Sequence, residues 1–187
     1  MKKLTKYLML FFIIFLPSKG YAEALRPDAR IDDVKVTLSP NLKVSFQVRD
    51  AFTKEIEEAI ASGLPTSFTF IVELEKVNSV WFNEDVGRWE FKHTVKYDTL
   101  KEEYDISLDE TGDIGLRTKD AGEMKRLMVT GNSIAITPAH LAQGEQYDLR
   151  VMAELRTVDM PPLLNYMFFF LKLWDFETGW YTYRFSP

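Results

Sequence analysis

The 187-residue sequence contains no cysteine. This absence excludes disulfide bonds, thiolate metal sites and the lipid-modified cysteine that anchors bacterial lipoproteins. Histidine is scarce as well, with two residues in the whole chain, so a transition-metal site has few ligands available. Stability must therefore come from packing, and a chain of this length buries enough apolar surface for one domain.

The sequence also lacks the short motifs of the common enzyme classes, namely a G-x-S-x-G nucleophile elbow, a phosphate-binding loop and a dinucleotide fingerprint. His93 stands between Phe91 and Val95 on an apolar strand face, which predicts a core side chain, whereas His140 is expected at the surface. The acidic segment Asp109–Asp113 lacks the ligand spacing of a calcium loop, so we interpret it as a hairpin turn. We expect no metal, no cofactor and no catalytic residue.

An apolar run near the amino terminus, YLMLFFIIFL, covers residues 7–16. Three lysines precede it, and the tripeptide GYA at residues 20–22 places small residues where signal peptidase reads them. This order predicts a signal peptide, residues 1–22, cleaved after Ala22, with an uncleaved anchor as the alternative. The run is too short for a membrane-spanning helix. We therefore expect an exported protein whose mature chain, 23–187, forms a single domain without a membrane span.

Removal of the signal peptide makes the chain strongly acidic. The first 22 residues hold four of the 23 basic residues and none of the 28 acidic ones, so 19 basic and 28 acidic residues remain, a formal charge of −9. Such a surface repels nucleic acid and anionic lipid headgroups. Nucleic acid is therefore excluded as an expected partner.

Alternation of apolar and polar residues with period two recurs along the mature chain and predicts strands. In the most regular example, Leu149, Val151 and Ala153 share one face while Arg150 and Glu154 share the other. The predicted strands are Ile31–Leu38, Leu42–Val48, Thr66–Lys76, Arg88–Asp98, Tyr104–Leu108, Ile114–Thr118, Asn132–Thr137, Tyr147–Thr157 and Trp180–Phe185. One-sided alternation of this kind indicates antiparallel sheets with one face in water, arranged as a β-sandwich.

Two short helices interrupt the predicted strands. Asp50 or Thr53 can cap the first helix, which should end at Gly63. Asp120 and Glu123 have the spacing of a cap and its third helical residue, and they mark the start of the second helix.

The stretch LAQGEQYDLRV, residues 141–151, is similar to the tyrosine corner of immunoglobulin-like and fibronectin type III sandwiches. Gly144 would supply the turn, and Tyr147 would return its hydroxyl to upstream backbone. We therefore expect a mainly β fold, an immunoglobulin-like or fibronectin type III-like antiparallel β-sandwich with two or three short helices in the connections. The first helix and the segment before the last strand would then lie at the same end.

The stretch DAFTKEIEEAIASGLPTSFTFIVELEK, Asp50–Lys76, resembles the bacterial family known as domain of unknown function 4390. Trp81, the sequence YDTLKEEY at residues 97–104, and the late pattern P-x-L…W…T-x-W-Y ending at Tyr181 fit the same family. The resemblance implies a secreted, hence periplasmic, protein of Gram-negative bacteria, and it supplies no catalytic residues. As partner, it favours the periplasmic part of an envelope protein.

The most apolar part of the mature chain is PPLLNYMFFFLKLWDF, residues 161–176. From Leu163 to Trp174 the polar residues are Asn165 and Lys172, which share one narrow stripe of a helix because they stand seven apart. A helix over Pro162–Trp174 would be too short to cross a bilayer. It either packs completely on the first helix as a lid or leaves part of its surface exposed for docking. A third interpretation is a lid over a pocket for a lipid-like ligand.

The function expected from these features is a non-enzymatic interaction or accessory module that docks a protein partner through this segment. The predicted partner-binding residues are Tyr166, Phe169, Phe170, Leu173, Trp174, Trp180 and Tyr181. The first alternative is a carrier of a small apolar or lipid-like ligand, which a deep aromatic-lined cavity would favour. The second is a hydrolase with two carboxylates, which a buried carboxylate pair in a cleft would favour.

Overall fold

A computed structural model describes residues 28–38, 41–112, 115–138, 140–157 and 175–187. This part of the chain contains two α-helices, α1 (Lys54–Ala61) and α2 (Ala121–Val129), and a 3-10 turn at Asp109–Thr111. Its strands are β1 Arg30–Thr37, β2 Lys43–Arg49, β3 Thr66–Lys76, β4 Glu84–Asp98, β5 Glu103–Leu108, β6 Leu116–Thr118, β7 Thr130–Ala135, β8 Tyr147–Thr157, β9 Phe176–Glu177 and β10 Tyr181–Phe185.

The strands form two antiparallel sheets. The smaller sheet has the order β1-β2-β7, and the larger has the order β10-β8-β3-β4-β5-β6, with β9 pairing with β8. Each predicted strand has a counterpart with bounds shifted by a few residues, so the mainly β, antiparallel architecture is confirmed. Strand β9 was not predicted, because two residues are too few to show an alternation.

The two sheets face each other across one hydrophobic core. Phe46 of the smaller sheet meets Phe70 of the larger sheet edge to face, with ring centroids 5.1 Å apart. The buried cluster draws residues from both sheets and both helices. Burial of this apolar surface stabilises the fold, which has no cysteine and therefore no disulfide.

Helix α1 begins and ends where local sequence signals place it. The Thr53 hydroxyl accepts a hydrogen bond from the Ile56 N–H, so Thr53 rather than Asp50 is the cap. Gly63, just beyond the helix, has a φ of +85°, a left-handed conformation that glycine adopts without a steric penalty. Ile56 and Ile60, four residues apart on one face of the helix, are buried.

Helix α2 is capped as predicted but leads directly into a strand. The Asp120 carboxylate accepts from the N–H groups of Gly122 and Glu123. The helix ends at Val129, and β7 starts at Thr130 without an intervening turn. The predicted strand, Asn132–Thr137, therefore began two residues too late.

The prediction that the polar face of Thr66–Lys76 lies in water holds only for its second half, where Glu73 and Glu75 are partly exposed. Ser67, Thr69 and Ile71 on that face are 6%, 5% and 3% exposed. Strand β3 lies between β8 and β4, and the Ser67 hydroxyl lies 2.9 Å from the Thr94 hydroxyl of β4. Small hydroxyl residues that find partners on a neighbouring strand can be buried, so alternation alone does not identify a solvated face.

The strand register shows which connections share an end of the larger sheet. Thr66 of β3 pairs with Thr157 of β8, and at the other end Lys76 pairs with Tyr147. Helix α1 precedes Thr66 and the segment 158–174 follows Thr157, so both connections leave from one end, as expected. The predicted helix Pro162–Trp174 and its contact with α1 lie outside the described residues.

Candidate functional site

Aromatic side chains are exposed on β10 and just before it. Trp180, Tyr181 and Tyr183, which we call the edge aromatic surface, are 36%, 38% and 36% exposed. Tyr181 pairs with Val151 and Tyr183 with Leu149, both fully buried, so these tyrosines point to the core side of the sheet. They nevertheless remain accessible, because a sheet of three strands does not cover the whole inner face of the larger one.

The ring of Trp180 stacks on the guanidinium of Arg150. The Arg150 Cζ lies 4.4 Å from the ring centroid, a cation–π geometry. Arg150 is itself held by Glu75 at 2.7 Å and Glu73 at 3.2 Å. The indole therefore rests on a side chain that two carboxylates of β3 keep in place, which restricts the orientation of the ring.

The carboxylates of this network serve as acceptors for arginine. The Asn83 amide and then Arg150 hold the pKa of Glu75 below its ordinary value despite partial burial. Arg184 forms two hydrogen bonds of 2.7 Å to Asp148 and lowers the pKa of that carboxyl. Carboxylates with lowered pKa values are ionised at neutral pH and have no proton to donate, so this pair does not suit general acid catalysis.

The tyrosine-corner contact predicted at Tyr147 is confirmed. Tyr147 is 2% exposed, and its hydroxyl accepts a hydrogen bond of 2.9 Å from the Ala142 N–H. Gly144 has a φ of +80° in the intervening turn. Tyr147 also stacks on Phe185, with centroids 5.9 Å apart, which ties the end of β10 to β8.

The structure places two of the predicted partner-binding residues at the edge of the larger sheet, on opposite faces. Trp180 stacks on Arg150 of the polar face, whereas Tyr181 points to the core side. The other predicted residues lie outside the described part of the chain: Tyr166, Phe169, Phe170, Leu173 and Trp174. Tyr183 was missed, although its place two residues after Tyr181 puts both on one strand face.

His93 is fully buried, as predicted, and His140 is exposed. The partner of His93 was not predicted: its Nε2 lies 2.9 Å from Oε1 of Glu110, in the acidic turn. The expected hairpin around that turn is present, since β5 pairs with β6. Within the described ranges, no group of three histidine or carboxylate side chains is placed to hold a metal ion.

In two cavities, half of the lining residues carry a charge. One, of about 660 Å³, lies beside Glu154, Arg156 and Glu177. The other, of about 330 Å³, lies between the helices beside Glu57 and Lys125, which form an ion pair at 2.6 Å. Each has one aromatic residue in its lining, Phe176 in the first and Tyr104 in the second. A third cavity, of about 490 Å³, lies beside Trp81 and Phe82 and is open to solvent, since these side chains are 78% and 94% exposed.

No helix among the described residues is long and apolar enough to cross a membrane. Comparison of the chain with curated proteins and with solved structures finds no match. A family described as Domain of unknown function (DUF4390) matches residues 26–184, nearly the whole sequence. The chain belongs to this family, as its helix, phenylalanine-rich strand and late tryptophan pattern led us to expect.

Proposed function

We propose that the protein is a periplasmic, non-enzymatic accessory module that docks a protein partner through the edge aromatic surface. The observation that carries this proposal is the presentation of Trp180 and Tyr181, both more than one-third exposed, with the indole oriented by Arg150. Aromatic residues exposed in a fixed orientation are typical of protein contacts. Five residues that precede them in the chain are proposed to extend the surface: Tyr166, Phe169, Phe170, Leu173 and Trp174.

The position of β10 supports a particular mode of docking. In the described part of the chain, β10 is the terminal strand of the larger sheet and pairs with β8 on one side. An edge strand presents N–H and C=O groups that can pair with an extended segment of a partner. Tyr181 and Tyr183 would then contact alternate side chains of that segment. We therefore propose strand addition at β10, with the periplasmic part of an envelope protein as the partner.

We further propose that the fold is an immunoglobulin-like sandwich. The order β1-β2-β7 corresponds to strands A, B and E of that fold, and β10-β8-β3-β4 corresponds to G, F, C and C′. The buried Tyr147 at the start of β8 stands where the tyrosine corner is expected. In this scheme α1 lies in the B–C connection.

The docking proposal is preferred to a carrier and to a hydrolase for physical reasons. Half of the residues that line each of the two cavities beside Glu154 and Glu57 carry a charge, which disfavours an apolar ligand. Glu75 and Asp148 are engaged by arginines and have lowered pKa values, which disfavours proton donation to a leaving group. Docking of a protein through the edge aromatic surface requires neither a cavity nor a proton donor.

Photo-crosslinking in the native envelope tests the docking proposal. The photoreactive residue benzoylphenylalanine is placed at Tyr181 and, as a matched control, at Leu100. Leu100 is 94% exposed in the β4–β5 turn, and two strands, β8 and β3, lie between β10 and β4 in the sheet order. We expect one defined adduct from position 181 and none from position 100.

A second variant tests whether the crosslinked adduct depends on the edge aromatic surface. Adding Trp180→Ser to the probe at position 181 should greatly reduce the adduct, while the thermal midpoint changes little because the indole is partly exposed. An adduct of equal yield from both probe positions, or one unaffected by Trp180→Ser, would refute docking at this surface.

Export is tested separately by mass spectrometry of the mature amino terminus. The proposal of cleavage after Ala22 requires a chain that begins at Glu23. A cytosolic product beginning at Met1 would contradict the periplasmic location.

A further inference from the structure

The loop between β3 and β4 presents three consecutive large apolar side chains to solvent. Val80, Trp81 and Phe82, which we call the apolar tip, are 77%, 78% and 94% exposed. Exposed apolar groups of this size on one short loop are uncommon in soluble proteins unless they contact something. The edge aromatic surface does not include this loop, so a role for the tip is independent of the docking proposed above.

Two asparagines hold the loop in a defined conformation. The Asn78 side-chain oxygen accepts from the N–H groups of Val80 at 3.0 Å and Trp81 at 3.3 Å. The Asn83 carboxamide accepts from the Asn78 N–H at 3.3 Å and donates to Glu75 at 3.0 Å. These hydrogen bonds order the loop in the folded protein. An apolar contact at the tip therefore does not carry the entropic cost of ordering it.

The apolar tip lies in a loop without charged residues, and acidic residues follow it in the chain. The loop residues 77–83, VNSVWFN, include no charged side chain. Lys76 before the loop is paired with Glu145 at 3.0 Å, whereas Glu84 and Asp85 after it are exposed and form no ion pair within the described residues. The tip can thus enter an apolar environment without carrying a charge, and acidic groups stand behind it.

We propose that the apolar tip inserts into the interfacial layer of a zwitterionic lipid bilayer. Tryptophan favours the headgroup level of membranes, where its ring is buried and its N–H stays hydrated. The three side chains offer roughly 400–500 Å², less than the roughly 800 Å² per partner of a standard protein interface. A bilayer accepts a small convex tip, and the carboxylates behind it disfavour anionic headgroups.

The absence of cysteine allows a direct test with a single thiol. Phe82→Cys and, as the matched control, Leu100→Cys are introduced separately into the full chain and labelled with an environment-sensitive nitrobenzoxadiazole probe. Both positions are 94% exposed, and they flank opposite ends of the 15-residue β4, roughly 50 Å apart at about 3.3 Å per residue. With phosphatidylcholine vesicles we expect a blue shift and increased emission at position 82 and no change at position 100.

One further variant and two further conditions distinguish insertion of the apolar tip from electrostatic binding to the vesicle. Trp81→Ser in the labelled Phe82→Cys chain should weaken partitioning to the vesicles about tenfold or more. High salt should not release the phosphatidylcholine-bound tip, because no charge takes part. Replacing part of the lipid with phosphatidylglycerol should reduce the response at position 82.

Three results would overturn the proposal. The first is no response at position 82 at any vesicle concentration, which would favour a protein as the occupant of the tip. The second is an equal response at both positions, which would mean that another part of the chain brings it to the vesicle. The third is a response that rises with protein concentration in the absence of lipid, which would identify a second copy of the chain as the occupant.

Discussion

The Nε2 of His93 lies 2.9 Å from Oε1 of Glu110, a residue of the 3-10 turn that follows β5. The other ring nitrogen, Nδ1, lies 3.1 Å from the backbone oxygen of Leu127 in α2. A carbonyl can only accept, so the Nδ1–H donates to the Leu127 oxygen, and Nε2 is the ring atom that forms the hydrogen bond with the Glu110 carboxylate. One fully buried imidazole thus joins a strand, a turn and a helix.

Glu110→Ala should destabilise the protein by about 1.5–3 kcal/mol at neutral pH, because His93 loses a charged acceptor. Burial raises the pKa of Glu110, but the hydrogen bond and charge of His93 outweigh it and leave the pKa below the ordinary 4.5. A carboxyl with a lower pKa in the folded state stabilises above its unfolded pKa and loses that effect as the pH falls through its folded pKa. In urea titrations, the difference in the free energy of unfolding between Glu110→Ala and wild type should therefore shrink as the pH falls below 4.5.

Glu90→Ala is the control for this measurement, since Glu90 is exposed on the same strand as His93 and forms no ion pair within the described residues. It should change the free energy of unfolding by no more than about 0.5 kcal/mol. If Glu110→Ala were equally mild at neutral pH, the contact with His93 would not contribute to stability.

Tyr147→Phe should cost about 1–3 kcal/mol, because the Ala142 N–H loses its acceptor while the ring packing is kept. Thermal unfolding followed by circular dichroism measures the effect. Tyr183→Phe is the matched control, since Tyr183 is 36% exposed on β10. A neutral Tyr147→Phe substitution would show that the corner hydrogen bond does not stabilise the fold.

Gly131→Ala should destabilise the protein by about 1–3 kcal/mol through overpacking. A Cβ at this position would lie 2.5 Å from Cζ of Phe46, a buried ring that packs against Phe70 and has little room to move. At Gly115 a Cβ would meet nothing within 4 Å, so Gly115→Ala should be nearly neutral in the same unfolding assay. Equal stability of the two variants would mean that the core around Phe46 adjusts freely.

Local signals in the sequence predicted the secondary structure well. The period of two in Tyr147–Thr157 identifies β8 with its observed bounds, because side chains on a strand alternate between faces whatever lies around them. The caps at Thr53 and Asp120 were predicted for the same reason, since a cap bonds to N–H groups two or three residues away. Tyr147 belongs to this class too, as its partner Ala142 is five residues distant.

Local sequence signals could not predict contacts between residues that are distant in the chain. Glu110 lies 17 residues from His93, and only the pairing of β4 with β5 brings the turn back over the imidazole. The sequence likewise marked Trp81 as a family feature without showing that Asn78 and Asn83 would hold it outward. Whether an aromatic residue is core or surface depends on what covers it, and that is a property of the assembled sheets.

By itself, the sequence determined the strands, the helix caps, the tyrosine-corner contact and the family, because each rests on residues near one another in the chain or on a pattern read along it. The tertiary structure alone decided that β3 is buried on both faces from Thr66 to Val72 and that Tyr181 and Tyr183 remain accessible. The physical reason is that exposure depends on the order and extent of the sheets. A sheet of three strands packs against one of seven, and β3 lies inside the larger sheet while β10 lies at its edge.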